Sequence, residues 1–130
     1  MTILFKKLTT ALLLTGLLAF TTAATSAQAA SAAPKSVIHV VTVKFKDGTT
    51  PAQIKAALDG VQALPQEYKG ITRVWTKAFK VQGDKTHAIV MEFADEAALT
   101  AYSGSAAQKK WYESYLPIRA ESTTFDITNK

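Results

Sequence analysis

The stretch Ile38-His39-Val40-Val41-Thr42-Val43-Lys44-Phe45-Lys46-Asp47-Gly48-Thr49-Thr50-Pro51-Ala52-Gln53 decides the fold, because a strand period gives way to a helix start inside it. Val37 to Lys46 is apolar and β-branched, the composition of a strand. Side chains along a strand alternate between faces, so His39 shares a side with Val37, Val41, Val43 and Phe45. Asp47-Gly48 carries turn chemistry. Thr50 then reads as an N-cap, with Pro51 at the first helical position and Gln53 closing a capping box. Ile54, Leu58, Val61 and Leu64 follow at helical spacing, and Pro65 is expected to stop the helix.

Working outward, Gly70 opens a second extended run, Ile71 to Val81, and Gly83-Asp84 turns it into a third, Thr86 to Phe93. Asp95 caps a short helix carrying Ala98, Leu99 and Tyr102. Gly104 interrupts it, and Ser105-Ala106-Ala107-Gln108 reads as a second capping box. Gln108, Trp111, Tyr112 and Tyr115 recur at helical spacing, Pro117 closes that helix, and Ser122 to Thr128 is the last strand. The order βαββαβ is the split unit of ferredoxin-like α+β folds, an antiparallel sheet with helices on one face. Ile38, Val40, Ala88 and Val90 make the other face apolar too. A second copy of the chain would cover it, giving a homodimer whose sheets close on each other.

Residues 1–29 read as a secretory signal rather than as part of the fold. Lys6-Lys7 is a basic start, Leu8 to Phe20 an apolar run too short to span a bilayer, and Ala27-Gln28-Ala29 a small-residue cleavage site. Residues 30–36 form a tether, and residues 37–130 a single domain. The expected product is exported, periplasmic or secreted, with no membrane attachment once the signal is cleaved. Cysteine is absent, so no disulfide staples it. Without Lys6 and Lys7 the formal charge falls by two, from +5 to +3, and the remaining basic residues are dispersed. Nucleic acid is therefore excluded as an expected partner.

The chain has two histidines, and each begins an apolar strand face. His39 shares its face with Val41 and Val43, and His87 shares its face with Ile89, Met91 and Phe93. Together they suggest one recess with a titratable wall. The plainer reading is that each ring donates to a carbonyl and plugs a strand end. A metal site would need His39, His87 and either Asp126 or Glu92 to converge, and no ligand spacing supports it. Neither a metal nor another cofactor is expected. Trp111, Tyr112 and Tyr115 fit core packing better than a ligand wall. Trp75 and Phe79, alternating on the second strand, fit a pocket or a dimer seam equally.

These residues resemble a known family. His39-Val-Val-Thr-Val-Lys44-Phe45-Lys46, then Thr86-His87-Ala-Ile-Val-Met-Glu92-Phe93, then Ala98-Leu99-Thr-Ala-Tyr102, and last Phe125-Asp126, are similar to the stress-responsive dimeric α/β-barrel (Dabb) domain. The resemblance implies a ferredoxin-like protomer pairing into an α+β barrel, sometimes in higher assemblies, with a pocket between sheet and helices. One plant member, olivetolic acid cyclase, closes a polyketide by acid–base chemistry through a histidine in Tyr-x-x-His-Pro-x-His. That histidine pairs with an aspartate on the last strand. Tyr102 and Asp126 match the tyrosine and aspartate, and His39 and His87 match two further pocket histidines. Gln108 stands where the working histidine would be, and glutamine cannot shuttle a proton, so that mechanism does not transfer.

The expected function is binding of a small apolar or aromatic molecule by His39, Val41, Val43, His87, Ile89, Tyr102, Gln108 and Asp126, without assigned catalysis. One alternative is an acid–base lyase or cyclase, or a cofactor-independent monooxygenase-like enzyme, using His39 or His87 with Tyr102. Another is a structural oligomerising module.

Overall fold

The computed structural model describes residues 33–129. Of the N-terminal readings, the signal and the start of the tether lie outside them. The elements are β1 (Val37–Phe45), α1 (Pro51–Glu67), β2 (Ile71–Trp75), β3 (His87–Phe93), α2 (Glu96–Tyr102), α3 (Ala106–Tyr115) and β4 (Arg119–Ile127). The strands form one antiparallel sheet in the order β2-β3-β1-β4, the ferredoxin-like arrangement that the sequence predicts.

Helix α1 starts where its residues dictate. The Thr50 hydroxyl accepts from the Gln53 backbone N–H, and the Gln53 side chain accepts from Thr50 N–H. Such a cap contributes about 1 kcal/mol. Pro65 does not stop the helix, which continues to Glu67. Proline removes only the bond its own nitrogen would give, and Tyr68 N–H reaches the Leu64 carbonyl at 2.7 Å to finish the last turn.

The core lies between sheet and helices. Val37, Val41, Val43 and Phe45 of β1 and Ile89, Met91 and Phe93 of β3 meet Val61 and Leu64 of α1 and Trp111 and Tyr115 of α3. Each large apolar side chain sealed there contributes roughly 1.5–3 kcal/mol. Helices α1 and α3 approach closely because Gly60 has no side chain: a Cβ there would sit 3.1 Å from the Trp111 ring. The Trp111 indole N–H donates to the Ala57 carbonyl at 3.0 Å and pins the pair.

The second extended run is shorter than its composition suggests. Strand β2 ends at Trp75, and residues 76–86 form an irregular connection carrying a fully exposed Phe79. Extended residues need a partner strand, and β3 begins only at His87. Strand β4 begins three residues before the expected Ser122, at Arg119.

On the face away from the helices, Trp75 pairs with Val90, Val90 with Val40, and Val40 with Phe125. This apolar row crosses all four strands. Trp75, Phe125 and neighbouring Ile127 are about half exposed. A β-bulge at Thr72 turns Arg73 to the same face, where its guanidinium meets the Glu92 carboxylate.

Candidate functional site

Strand pairing brings the first site residues together. The β1–β4 register sets His39 opposite Asp126, and the alternation of both strands turns the two side chains toward the helices. His39 Nδ1 lies 2.6 Å from Asp126 Oδ1. With the carboxylate accepting from Nδ1–H, the neutral ring carries its lone pair on Nε2. The edge of His39 also meets Phe93, with ring centroids 6.0 Å apart.

A recess of about 320 Å³ opens here between the β1–β4 half of the sheet and helices α2 and α3. The sheet contributes His39 and Val41 from β1, and Ser122, Thr124 and Asp126 from β4. The helices contribute Leu99, Tyr102, Gln108, Trp111, Tyr112 and Tyr115. Of the expected ligand-binding residues, His39, Val41, Tyr102, Gln108 and Asp126 therefore line one recess.

The other three do not. Val43 and Ile89 have no exposed surface, because α1 covers the centre of the sheet. His87 faces the helix side as expected but opens onto a separate groove of about 410 Å³ beside Ile54, Leu58 and Thr76. The pairing explains the separation. His39 is opposite Met91, and His87 lies four residues away along β3, about 13 Å at strand rise. The expectation of one recess shared by both imidazoles is corrected accordingly. His87 packs against Phe45 at 4.9 Å between centroids, with Nδ1 2.9 Å from the Thr86 hydroxyl. Burial holds it below the usual imidazole value.

Two phenols in the recess wall are sealed from solvent. Tyr102 and Tyr115 are each 2 % exposed, and neither hydroxyl makes a hydrogen bond with a described residue. Burial pushes the Tyr102 phenol far above its ordinary value, with Tyr112 adding to the rise. Burial raises Tyr115 as well, tempered by the nearby Ser122 hydroxyl and Arg119 guanidinium, which fall short of good hydrogen-bond geometry. Both phenols are thus protonated donors at neutral pH.

Gln108 holds the loop between α2 and α3. Its backbone N–H donates to the Ser105 hydroxyl, but its side-chain oxygen accepts from Gly104 N–H at 2.7 Å, not from the Ser105 N–H of a reciprocal box. Gly104, at φ +78°, makes the left-handed turn that brings its N–H into reach. The Gln108 amide nitrogen donates to the Tyr112 hydroxyl at 3.3 Å. Gln108 thus does two jobs, fixing the start of α3 and lining the recess.

Tyr112 and Tyr115, read from sequence as core, are core and recess wall at once: Tyr115 stacks on Trp111 at 4.6 Å. Sequence reasoning missed Ser122, Thr124 and Arg119. The polar alternation Ser122, Thr124, Asp126 was the available signal for the first two. Among the described residues, no three histidine, aspartate or glutamate side chains cluster as metal ligands.

The fold recurs in solved structures. An Arabidopsis thaliana protein is 20% identical with a TM-score of 0.65, the match covering 72% of this chain and 95% of that one. The hydroxynitrile lyase of Passiflora edulis is 16% identical with a TM-score of 0.67, covering 75% of this chain and 95% of that one. A dimeric ferredoxin-like protein of unknown function from Thermobifida fusca is 17% identical with a TM-score of 0.62, covering 72% and 90%. At these identities the likeness speaks for the fold. No curated protein matches the chain. The model of the stress responsive A/B barrel domain matches residues 37–129, which takes in every strand and helix described above, and the chain belongs to that Dabb family.

Proposed function

We propose that this protein binds a small, partly aromatic molecule in the recess between the β1–β4 edge and helices α2 and α3. The observation that carries the reading is an apolar wall beside an imidazole that Asp126 holds through Nδ1, leaving Nε2 without a partner among the described residues. Val41, Leu99 and Trp111 supply the wall, while His39, Ser122 and Thr124 supply hydrogen-bonding groups. Apolar surface beside a few placed polar groups fixes both the affinity and the orientation of a small ligand. Calorimetric titration with biphenyl-4-carboxamide tests it. Saturable binding that disappears in Thr124→Phe, which fills the recess from an exposed strand position, is the expected result. Equal binding by Thr124→Phe would place the ligand elsewhere.

The aspartate on Nδ1 favours a second reading, acid–base catalysis. His39 Nε2 would accept a proton from the substrate, whereas the Tyr102 hydroxyl is sealed within the wall and packs rather than reacts. The Passiflora edulis neighbour is a hydroxynitrile lyase. In that chemistry the base takes the hydroxyl proton, the bond to the nitrile carbon breaks, and cyanide leaves to be protonated in turn. Release of cyanide from an aromatic hydroxynitrile, abolished in His39→Gln, is the assay; no release above buffer counts against this reaction.

The working unit in this proposal is a homodimer, alone or within a higher assembly. The row Trp75, Val90, Val40 and Phe125 supports it, since a contiguous apolar sheet face finds its natural cover in a second copy. Export, with residues 1–29 removed, completes the reading. It rests on the basic, apolar and small-residue order of that stretch, and N-terminal sequencing of the mature protein checks it.

A further inference from the structure

Arg119 does not belong, by simple alternation, on the face where it is found. Counting back along β4 from Asp126, Thr124 and Ser122, position 119 falls with Glu121, Thr123 and Phe125 on the side away from the helices. The register slips between Lys44 and Phe45: Lys44 faces Glu121, but Phe45 faces Arg119. Ala120 is therefore the extra residue of a β-bulge. The bulge rotates Arg119 onto the side of Phe45, where it lines the recess with Ser122, Thr124 and Asp126. Bulges interrupt a ladder and re-aim a side chain, and here the re-aimed side chain is a cation.

The surroundings of that cation point to what it holds. Arg119 is half-buried, with its guanidinium 5.8 Å from the centre of the Tyr115 ring. Among the described residues no carboxylate pairs with it. Nearby Glu121 is engaged by Lys85 at 3.0 Å, and Asp126, at the far end of the recess, is engaged by His39. The Tyr115 hydroxyl is sealed, so the guanidinium over the ring is the cation that the recess presents at this end. A half-buried planar guanidinium that lines the recess with the Ser122 hydroxyl, and that no described carboxylate pairs with, makes a site for a planar anion.

We infer that the Arg119 end of the recess is a carboxylate site, and that the ligand is an elongated, partly aromatic carboxylate spanning from Arg119 and Tyr115 to His39 and Tyr102. This rests on the reading of the recess as a binding site and adds the ligand's charge and length. The length follows from the strand. Phe45 and His39, the β1 partners of Arg119 and Asp126, are six residues apart, about 20 Å between backbones before the side chains converge. A single ring would reach only one end. Simple covering of the Tyr115 ring would also account for the stacked guanidinium, but any long side chain covers a ring, and only the charge discriminates between ligands.

The test compares biphenyl-4-carboxylate with biphenyl-4-carboxamide, two probes of the same shape, by calorimetric titration at pH 7.5. The native protein is expected to bind the carboxylate at least tenfold more tightly. Arg119→Gln is expected to remove that preference while leaving the carboxamide affinity within about twofold, and Arg119→Lys to keep part of it. Comparable melting temperatures for the variants verify that the fold is intact. Equal, saturable binding of acid and amide by the native protein overturns the carboxylate site and leaves the recess reading standing. A preference that survives in Arg119→Gln does the same. Saturation by neither probe overturns both.

Discussion

His39 and Asp126 stand opposite each other across the β1–β4 ladder, with Nδ1 and Oδ1 2.6 Å apart and both side chains turned toward the helices. Two edge-to-edge strands thereby fix the orientation of an imidazole without help from a loop. A site on paired strands is held more precisely than one on a flexible connection, because each side chain inherits the geometry of its ladder.

That relationship is open to nitrogen-detected NMR. At pH 8.5, where an imidazole is ordinarily neutral, His39 is expected to carry its proton on Nδ1. In Asp126→Asn the acceptor is no longer a carboxylate, so a measurable population with the proton on Nε2 is expected. An unchanged tautomer in the variant would show that the aspartate does not set it.

His87 makes a prediction about pH. Burial lowers its folded-state value below the roughly 6.5 of an unfolded chain. The unfolded state therefore takes up a proton first as pH falls, and the contribution of the neutral ring is present above about 6.5 and lost below it. Between pH 7.5 and 5.5, the melting temperature of the native protein is expected to fall more than that of His87→Gln. Thermal unfolding monitored by circular dichroism measures the difference, and parallel curves would contradict it.

Gly70 is a packing prediction. A Cβ there would overlap the Tyr68 ring and lie 2.9 Å from Ala98 Cβ. Tyr68 is held between them by its hydroxyl, which donates to the Ala98 carbonyl at 2.7 Å. Gly70→Ala is expected to displace the ring, break that link between α1 and α2, and cost about 1–3 kcal/mol in urea denaturation. A loss below about 0.5 kcal/mol would mean that the ring relocates freely.

The apolar row on the open sheet face gives an assembly prediction. Val40 sits at its centre between Val90 and Phe125. Val40→Asp is expected to convert the proposed dimer to monomer, because an unpaired charge in an apolar interface costs several kcal/mol. Light scattering coupled to size exclusion reports the mass directly, and an undiminished dimer mass would move the interface to another surface.

The order of elements and the face of each strand were legible in the sequence because they depend on local periods. Alternation over Val37–Phe45 and His87–Phe93 identified the core side of the sheet, and the Thr50 and Asp95 caps marked where helices begin. Composition misled where a partner was needed. Thr76 to Val81 has the residues of a strand, but the described β2–β3 pairing ends at Trp75. Pro65 likewise has the residue type of a stop and only the effect of one missing hydrogen bond.

By itself, then, the sequence determined a βαββαβ protomer, the core-facing side of its strands, and a set of residues that includes His39, Tyr102, Gln108 and Asp126. Only the tertiary structure decided that His39 and His87 open to different cavities, since alternation assigns a face but carries no information about distance along it. Only it revealed Arg119 in the recess, since a bulge is a property of two strands in register and leaves no mark in the periodicity of one.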